Sequence, residues 1–142
     1  MVFKTKSGHN LYYETQTGNS PLPPLVFLNG LSQSTIAWIL TTPYFKGYPI
    51  VYLDFIFQGK SDKTGDWKDF DSHAEDVKDL LNELGIQKAI PVGLSYGSLV
   101  AQHLAVQHPE KIEKLILMST FAHKTPYYEA IEISWWRALE MG

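Results

Sequence analysis

The chain has 142 residues, 44% of them hydrophobic and 19% charged, which is long and apolar enough to bury the core of one globular domain. Its formal net charge of -3 offers no basic surface for nucleic acid phosphates or anionic lipids, so we expect neither nucleic acid nor a membrane among its partners. The absence of cysteine excludes disulfides, a thiolate nucleophile and a cysteine zinc site.

The first half of the chain predicts a hairpin followed by two strands of a sheet. Residues 2–5 and 10–14 have the pattern of two short strands joined by a turn. Residues 25–28 and 50–55 are apolar on both faces, as expected of strands covered by helices on each side. Between these two runs, residues 36–40 predict a short helix.

The pattern changes to helical at Ser72. Ser72 and Glu75 have the spacing of a capping box, which predicts a helix that begins there and ends at Gly85. Acidic residues recur along this helix, and Asp76 and Asp79 are expected on its solvated face.

Two more strands and two more helices are predicted in the rest of the chain. Residues 88–93 and 114–120 are apolar runs typical of strands, and residues 96–108 predict a helix that Pro109 ends. Residues 125–142 predict a last helix with an apolar face of Tyr128, Ile131, Trp135 and Leu139. Strands that alternate with helices imply right-handed crossovers onto one mostly parallel sheet, so we expect a three-layer α/β fold.

A serine between two glycines marks a candidate nucleophile. Residues 93–97 read G-L-S-Y-G, a G-x-S-x-G sequence placed between a predicted strand and a predicted helix, which is the setting of a nucleophile elbow. In such a turn the strand and helix approach so closely that Gly93 and Gly97 must lack side chains. The turn lifts Ser95 above the sheet and places the Tyr96 N–H at the helix start, where it favours negative charge. The alternative is that Ser95 is only a helix N-cap.

A second loop points to the same site. The sequence NGLSQS follows the strand at residues 25–28, where an oxyanion loop would supply its second N–H, and Leu31 is the candidate donor. The alternative is that Asn29 and Gly30 form only a turn.

These segments resemble the amino-terminal part of the α/β-hydrolase-fold superfamily of lipases, esterases and proline iminopeptidases. The resemblance runs along nearly the whole sequence, through VFLNGLSQSTIAW, GYPIVYLDFIFQGKSDK and the elbow region that ends in KLILMST. It implies a partial hydrolase core at residues 1–124 and the start of the lid at residues 125–142. Two positions depart from the family, with Asn29 where it usually has histidine and Phe57 where it usually has glycine.

The resemblance implies a serine hydrolase that acts on the ester or amide carbonyl of a small acyl-bearing substrate through an acyl-enzyme, without metal or cofactor. Ser95 argues against the aspartate-nucleophile relatives that open epoxides or displace halide. The family carries its acid and histidine on loops beyond the lid, so we expect neither partner in this chain. His123, which follows the strand next to the elbow strand, is the candidate base within it.

Four alternatives and expectations remain open at this point. The chain is either this hydrolase or a catalytically silent binding module or fragment of the same fold. Asp54, at the end of its strand, either contacts the site or stabilises a turn. The last strand is expected to have an open edge, which the rest of a longer protein or a second chain would cover. The opening MVFKTKSGHN has no apolar stretch after its charges, so we expect no signal peptide and a cytoplasmic location.

Overall fold

A six-stranded sheet and three α-helices make up the part of the chain described by a computed structural model, residues 1–66 and 68–141. The strands are β1 (Val2–Lys4), β2 (Asn10–Gln16), β3 (Leu25–Leu28), β4 (Ile50–Leu53), β5 (Ile90–Leu94) and β6 (Ile116–Met118). The helices are α1 (Phe70–Glu83), α2 (Tyr96–Gln107) and α3 (Pro126–Glu140).

The strands lie in the order β1-β2-β4-β3-β5-β6. The hairpin strands β1 and β2 are antiparallel, and β2 also pairs antiparallel with β4. From β4 onward every pairing is parallel, with Val26 opposite Val51 on one side and Pro91 on the other. The mostly parallel α/β sheet predicted from the sequence is therefore confirmed, and β3 to β6 all end at the same edge.

The two faces of the sheet are covered differently. Helices α1 and α2 pack together on one face, over a core that includes Val26, Val51 and Leu104. On the other face the aromatic ring of Phe27 lies 4.7 Å from that of Trp38 and 5.3 Å from that of Tyr52. This second core is covered by two short 3-10 helices rather than by an α-helix.

The helix predicted over residues 36–40 is therefore wrong in type. The chain forms 3-10 helices at Thr35–Trp38 and Thr42–Phe45. β-Branched and aromatic side chains are poor α-helix formers, and Pro43 lacks the N–H that a continuing helix would need.

Helix α1 begins earlier than the capping box predicted. Asp69 is the N-cap, and its carboxylate accepts the backbone N–H of Ser72 at 2.8 Å. The assignment of Ser72 as the cap is wrong because Asp69, three residues earlier, accepts the N–H of Ser72 itself, which places Ser72 inside the first turn, and its charge complements the positive end of the helix dipole. The predicted end of the helix is correct, because α1 ends at Glu83 and Gly85 follows it with a φ of 68°.

The acidic residues of α1 do not all face solvent, as the sequence predicted. Asp76 is only 5% exposed, and its carboxylate lies 2.6 Å from the Nζ of buried Lys68. Burial raises the pKa of Asp76 above its ordinary value, against the opposing effect of the Lys68 hydrogen bond. Asp79 is half-buried between Lys6 and Lys78, so the prediction is wrong for Asp76 and incomplete for Asp79.

Strand β6 lies at the edge of the sheet. It pairs with β5 on one side and with no strand of the described chain on the other. Its residues Ile116 and Leu117 are 44% and 38% exposed. An apolar strand with unpaired N–H and C=O groups is a template for pairing with another strand.

We expect concentrated solutions of the chain to associate through this edge, and Ile116→Lys to shift the equilibrium toward monomer, because a charge on an edge strand opposes pairing. Sedimentation velocity over a range of concentrations measures the effect. Val106→Lys is the matched control, since Val106 is 82% exposed on α2 and lies away from the strand edge. A wild-type chain that stays monomeric throughout would contradict the expectation.

Helix α3 occupies the segment that the sequence assigned to the lid. Its exposed side chains include Tyr127 and Ile133, and Tyr128 stacks on Phe121 with ring centroids 4.6 Å apart. The side chains of Trp135 and Leu139, which the predicted apolar face included, lie outside the described residues. The division into a core and a lid stays a prediction. Within the described residues, none of the helices has the length and apolar character needed to cross a bilayer.

Candidate active site

The elbow glycines lie where backbone segments approach one another closely. A Cβ on Gly97 would lie 2.1 Å from the carbonyl oxygen of Leu28 at the end of β3. A Cβ on Gly93 would lie 2.5 Å from the Cα of Ser98 in α2. Both distances are shorter than real Cβ contacts, so only glycine allows strand and helix to meet in this way.

Ser95 stands at the tip of this turn in a strained conformation. It is exposed, with φ of 50° and ψ of -109°. It occupies the N-cap position of α2, yet its hydroxyl makes no capping hydrogen bond. Its backbone N–H donates to the carbonyl of Met118 in β6 at 2.8 Å. A serine that only capped the helix would have extended backbone and use its oxygen, so the geometry disfavours the N-cap alternative.

Two backbone N–H groups next to Ser95 are available to a ligand. The N–H of Tyr96 opens α2, and that of Leu31 belongs to the loop after β3, and neither donates to an acceptor within the part of the chain that the structure describes. The two segments are neighbours, because a Cβ on Gly30 would lie 3.6 Å from the carbonyl oxygen of Leu94. Two free N–H groups from neighbouring segments beside an exposed hydroxyl are the kind of donors that can stabilise an oxyanion.

Asn29 anchors the loop that carries Leu31. Its side chain is fully buried, with Nδ2 donating to the carbonyl of Leu53 at 2.8 Å. Its Oδ1 accepts the indole N–H of Trp38 at 2.7 Å. The residue that replaces the family's histidine thus ties the end of β3 to the end of β4 and to the second core, and it does not point into solvent.

Asp54 stabilises the turn after β4. Its carboxylate is fully buried and accepts the backbone N–H of Thr35 at 2.6 Å and that of Lys60 at 2.8 Å. These contacts favour the turn-stabilising alternative over a direct role at the site. Phe57, in the same turn, has a φ of 74°, a conformation that the family's glycine adopts without strain.

Ser98 and Gln58 belong to the surroundings of the site and were not found from the sequence. Ser98 is fully buried and connects α2 to β6, since its Oγ donates to the carbonyl of Met118 at 3.0 Å and accepts that residue's N–H at 3.1 Å. Gln58 is buried beside the loop after β3. Both contacts join residues distant in sequence, and no local pattern signals them.

The histidines do not approach the candidate nucleophile. His123 is exposed and makes no hydrogen bond to Ser95, so the structure does not bring these two predicted residues together. Three of the other four imidazoles are hydrogen-bonded elsewhere, in the pairs His9–Ser7, His103–Asp71 and His108–Glu75. None of the five histidines, all of which the structure describes, lies within hydrogen-bond distance of the Ser95 hydroxyl.

His73 is buried beneath the elbow. Its ring lies 5.0 Å from that of Phe55 and 5.8 Å from that of Tyr96, and its Nδ1 has no hydrogen-bond partner among the described residues. Burial, reinforced by the nearby Lys68 charge, lowers the pKa of His73 to about 4. Burial likewise raises the pKa of Tyr96 to about 12, with a smaller effect of Asp69. Both rings are therefore neutral near pH 7.

This burial predicts a defined loss of stability in acid. The unfolded chain binds a proton at His73 below pH 6.5 and the folded chain only below about pH 4, so stability is complete above pH 6.5 and falls as the pH is lowered toward 4. The shift corresponds to about 3 kcal/mol. Urea unfolding at a series of pH values should show this fall, and His73→Phe should remove it. His123→Gln is the control, and an unchanged profile in His73→Phe would refute the assignment.

A groove lies away from Ser95, and the described residues form no cluster suited to a metal ion. A groove of about 610 Å³ runs along α3 and does not reach the serine; it is lined by Ala130, Ile133, Ser134, Arg137, Ala138 and Met141. Within residues 1–66 and 68–141, no group of three or more acidic or histidine side chains is placed to bind a metal ion.

Comparisons with known proteins identify the family of the chain. Residues 23–139 match the sequence model of the family described as alpha/beta hydrolase fold. The chain is 31% identical over 128 residues to Epoxide hydrolase 4 of Mus musculus, which covers 88% of this chain and 35% of that protein. It is also 31% identical over 115 residues to a pimeloyl (acyl-carrier protein) methyl ester esterase of Vibrio campbellii, covering 74% of this chain and 41% of that protein.

A solved structure shows the same likeness in three dimensions. An alpha/beta hydrolase enzyme from a Medee basin deep-sea metagenome library superposes with a TM-score of 0.89 and 28% sequence identity, over 99% of this chain and 52% of that one. The chain thus spans between 35% and 52% of the length of these three relatives. Because the family's sequence model covers most of the chain and the sheet topology agrees, the chain belongs to the alpha/beta hydrolase fold family.

Proposed function

We propose that Ser95 is the nucleophile of a hydrolase that cleaves an ester or amide carbonyl through an acyl-enzyme. The observation that carries the proposal is the strained, exposed Ser95 with its hydroxyl uncommitted. Strain of this kind persists where the surrounding structure enforces it, and it is concentrated at functional sites. Membership of the hydrolase family supports the same assignment.

In the proposed reaction the Ser95 Oγ bonds to the substrate carbonyl carbon while its proton passes to a base. The carbonyl oxygen becomes an oxyanion, which accepts hydrogen bonds from the N–H groups of Leu31 and Tyr96. The tetrahedral intermediate expels the leaving group, which takes up the proton, and leaves an acyl ester on Ser95. Water then attacks this ester, releasing the acid and restoring the hydroxyl.

The base of this reaction is not supplied by any histidine as the structure places it. His123 stays the candidate within the chain, because it follows β6 at the edge where Ser95 lies. Its imidazole makes no hydrogen bond to Ser95 in the structure, so this role requires a change in the position of the His123 side chain. Otherwise the base and its orienting acid come from residues outside this chain, as the resemblance to the family implies.

The names of the relatives cover several reactions. They include an epoxide hydrolase, a methyl ester esterase and a 2-hydroxymuconate semialdehyde hydrolase. A serine at position 95 favours carbonyl substrates, and we propose a small molecule with an acyl group as the partner of this site. The net charge of -3 favours neither nucleic acid nor a membrane as a partner, and the cytoplasmic location stays an expectation from the sequence.

The second candidate function is a silent binding module of the same fold. The lack of any imidazole near the Ser95 hydroxyl favours it, since serine without a base is a poor nucleophile. In that case the exposed elbow and its free N–H groups would bind a carbonyl or carboxylate without turnover.

A fluorophosphonate probe separates the two functions. We expect the folded 142-residue chain to be labelled covalently at Ser95, slowly because no described imidazole is hydrogen-bonded to its hydroxyl, and faster when imidazole is added to the buffer. Ser95→Ala should not be labelled, and peptide mass spectrometry locates the adduct. Folded protein that shows no Ser95-dependent labelling, with or without imidazole, would contradict the hydrolase proposal for this chain.

A further inference from the structure

Gln58 is a buried amide that touches the candidate oxyanion loop. Its side chain is 7% exposed, and its Nε2 donates to the carbonyl oxygen of Gly30 at 3.2 Å. The backbone of Gln58 is fixed in its turn on both sides, donating to the carbonyl of Phe55 at 2.8 Å and accepting the N–H of Ser61 at 3.0 Å. The amide therefore extends from a well-held position after β4 to the loop after β3.

The carbonyl that Gln58 contacts belongs to the same peptide unit as the Leu31 N–H. A trans peptide is planar, with C=O and N–H pointing in opposite directions. The Gly30 oxygen accepts both the Gln58 Nε2 and the backbone N–H of Gln33, each at 3.2 Å. The Gln33 donor belongs to the same loop, so Gln58 is the donor that fixes the direction of the Leu31 N–H relative to the rest of the fold. Hydrogen bonding to the carbonyl also polarises the peptide, which makes that N–H a stronger donor.

The rest of the Gln58 side chain is not explained by stability. Its Oε1 is buried and has no hydrogen-bond partner among the described residues. A buried acceptor without a partner costs free energy that an apolar side chain of similar size would not. Stability alone would favour methionine or leucine at this position, so the donor Nε2 is the part of the side chain that requires glutamine.

We propose that Gln58 is a positioning residue that holds the Gly30–Leu31 peptide with its N–H directed toward the oxyanion site beside Ser95. The inference rests on the proposed function, because an oxyanion forms only if Ser95 attacks a carbonyl. The orientation of the Gly30–Leu31 peptide by Gln58 can be tested whether or not Ser95 reacts. Gln58 touches no substrate and acts only through the backbone of the loop.

Gln58→Met tests this role, because methionine keeps the length and bulk of the side chain and removes the donor. We expect fluorophosphonate labelling of Ser95 to slow by about tenfold, less than the loss seen when an oxyanion donor itself is removed. The melting temperature should stay the same or rise, because the unpaired oxygen is gone. The matched control is Gln16→Met on β2. It also removes a glutamine Nε2, which donates to the carbonyl of Phe45 at 3.5 Å.

The second readout is the Leu31 amide resonance in a nitrogen-15 correlation spectrum, which should move in Gln58→Met and stay in place in Gln16→Met. Slower labelling with unchanged or higher melting temperature supports the role. Wild-type labelling in Gln58→Met, or a loss of labelling that follows a lower melting temperature in both Gln58→Met and Gln58→Leu, overturns it. If the wild type itself is not labelled at Ser95, the proposed function fails, and the Leu31 resonance alone decides: movement supports the positioning of the peptide, and no movement overturns it.

Discussion

Replacing Gly97 with alanine is expected to lower the free energy of unfolding by about 4 kcal/mol, at the upper end of single-substitution effects. The new Cβ would lie 2.1 Å from the carbonyl oxygen of Leu28 and 2.7 Å from that of Asn29. Both are backbone atoms of the segment that leaves β3, so no side-chain rotation can relieve the clash. Either α2 or the loop after β3 must shift, and each carries half of the candidate oxyanion site.

A control variant separates the clash at Gly97 from the general effect of replacing a glycine with alanine. Gly47→Ala is the matched control, because a Cβ there would meet only the Asn19 side chain, at an ordinary 3.8 Å. Urea denaturation of both variants gives the comparison, and Gly47→Ala should remain within about 0.5 kcal/mol of the wild type. A Gly97→Ala variant as stable as Gly47→Ala would mean that strand and helix are farther apart than the structure places them.

The elbow could be predicted from the sequence because its signal is local. Gly93, Ser95 and Gly97 lie two residues apart between an apolar run and a helical pattern. The tight turn that requires the two glycines is also the turn that exposes the serine, so one short sequence indicates both the structure and the site. The parallel direction of β3 to β6 followed equally from the alternation of strands and helices, while their order in the sheet came only from the structure. Family membership and fold class, confirmed by the comparisons, rest on these local signals.

What the sequence did not reveal depends on contacts between distant segments. Gln58 meets Gly30 across 28 residues, and Ser98 meets Met118 across 20. Helical periodicity placed Asp76 among solvated acids because it cannot show that Lys68, before the helix, folds back over it. The type of the segment after β3 was missed for a different reason, since its apolar residues are spaced for a helix while β-branched and aromatic side chains lower the propensity for an α-helix.

A second large loss of stability is expected when the buried Lys68–Asp76 ion pair is broken. Their side chains are 8% and 7% exposed and 2.6 Å apart, so each charge depends on the other for compensation. Lys68→Met is expected to lower the free energy of unfolding at pH 7 by about 3 to 5 kcal/mol, because it leaves a buried carboxylate unpaired. Replacing both residues, with Lys68→Met and Asp76→Leu together, should restore most of that loss, since an apolar pair needs no compensation.

The pH dependence of Lys68→Met distinguishes an unpaired charge from a packing defect. Burial already raises the pKa of Asp76, and the loss of Lys68 removes the main contact that opposes the rise. A carboxyl whose folded pKa is raised contributes its full stability below the unfolded value of 3.8 and loses it as the pH rises through the folded pKa. The deficit of Lys68→Met relative to the double variant should therefore shrink as the pH falls from 7 toward 4. A deficit that stays constant over that range would assign the effect to the lost methylene contacts of Lys68 instead.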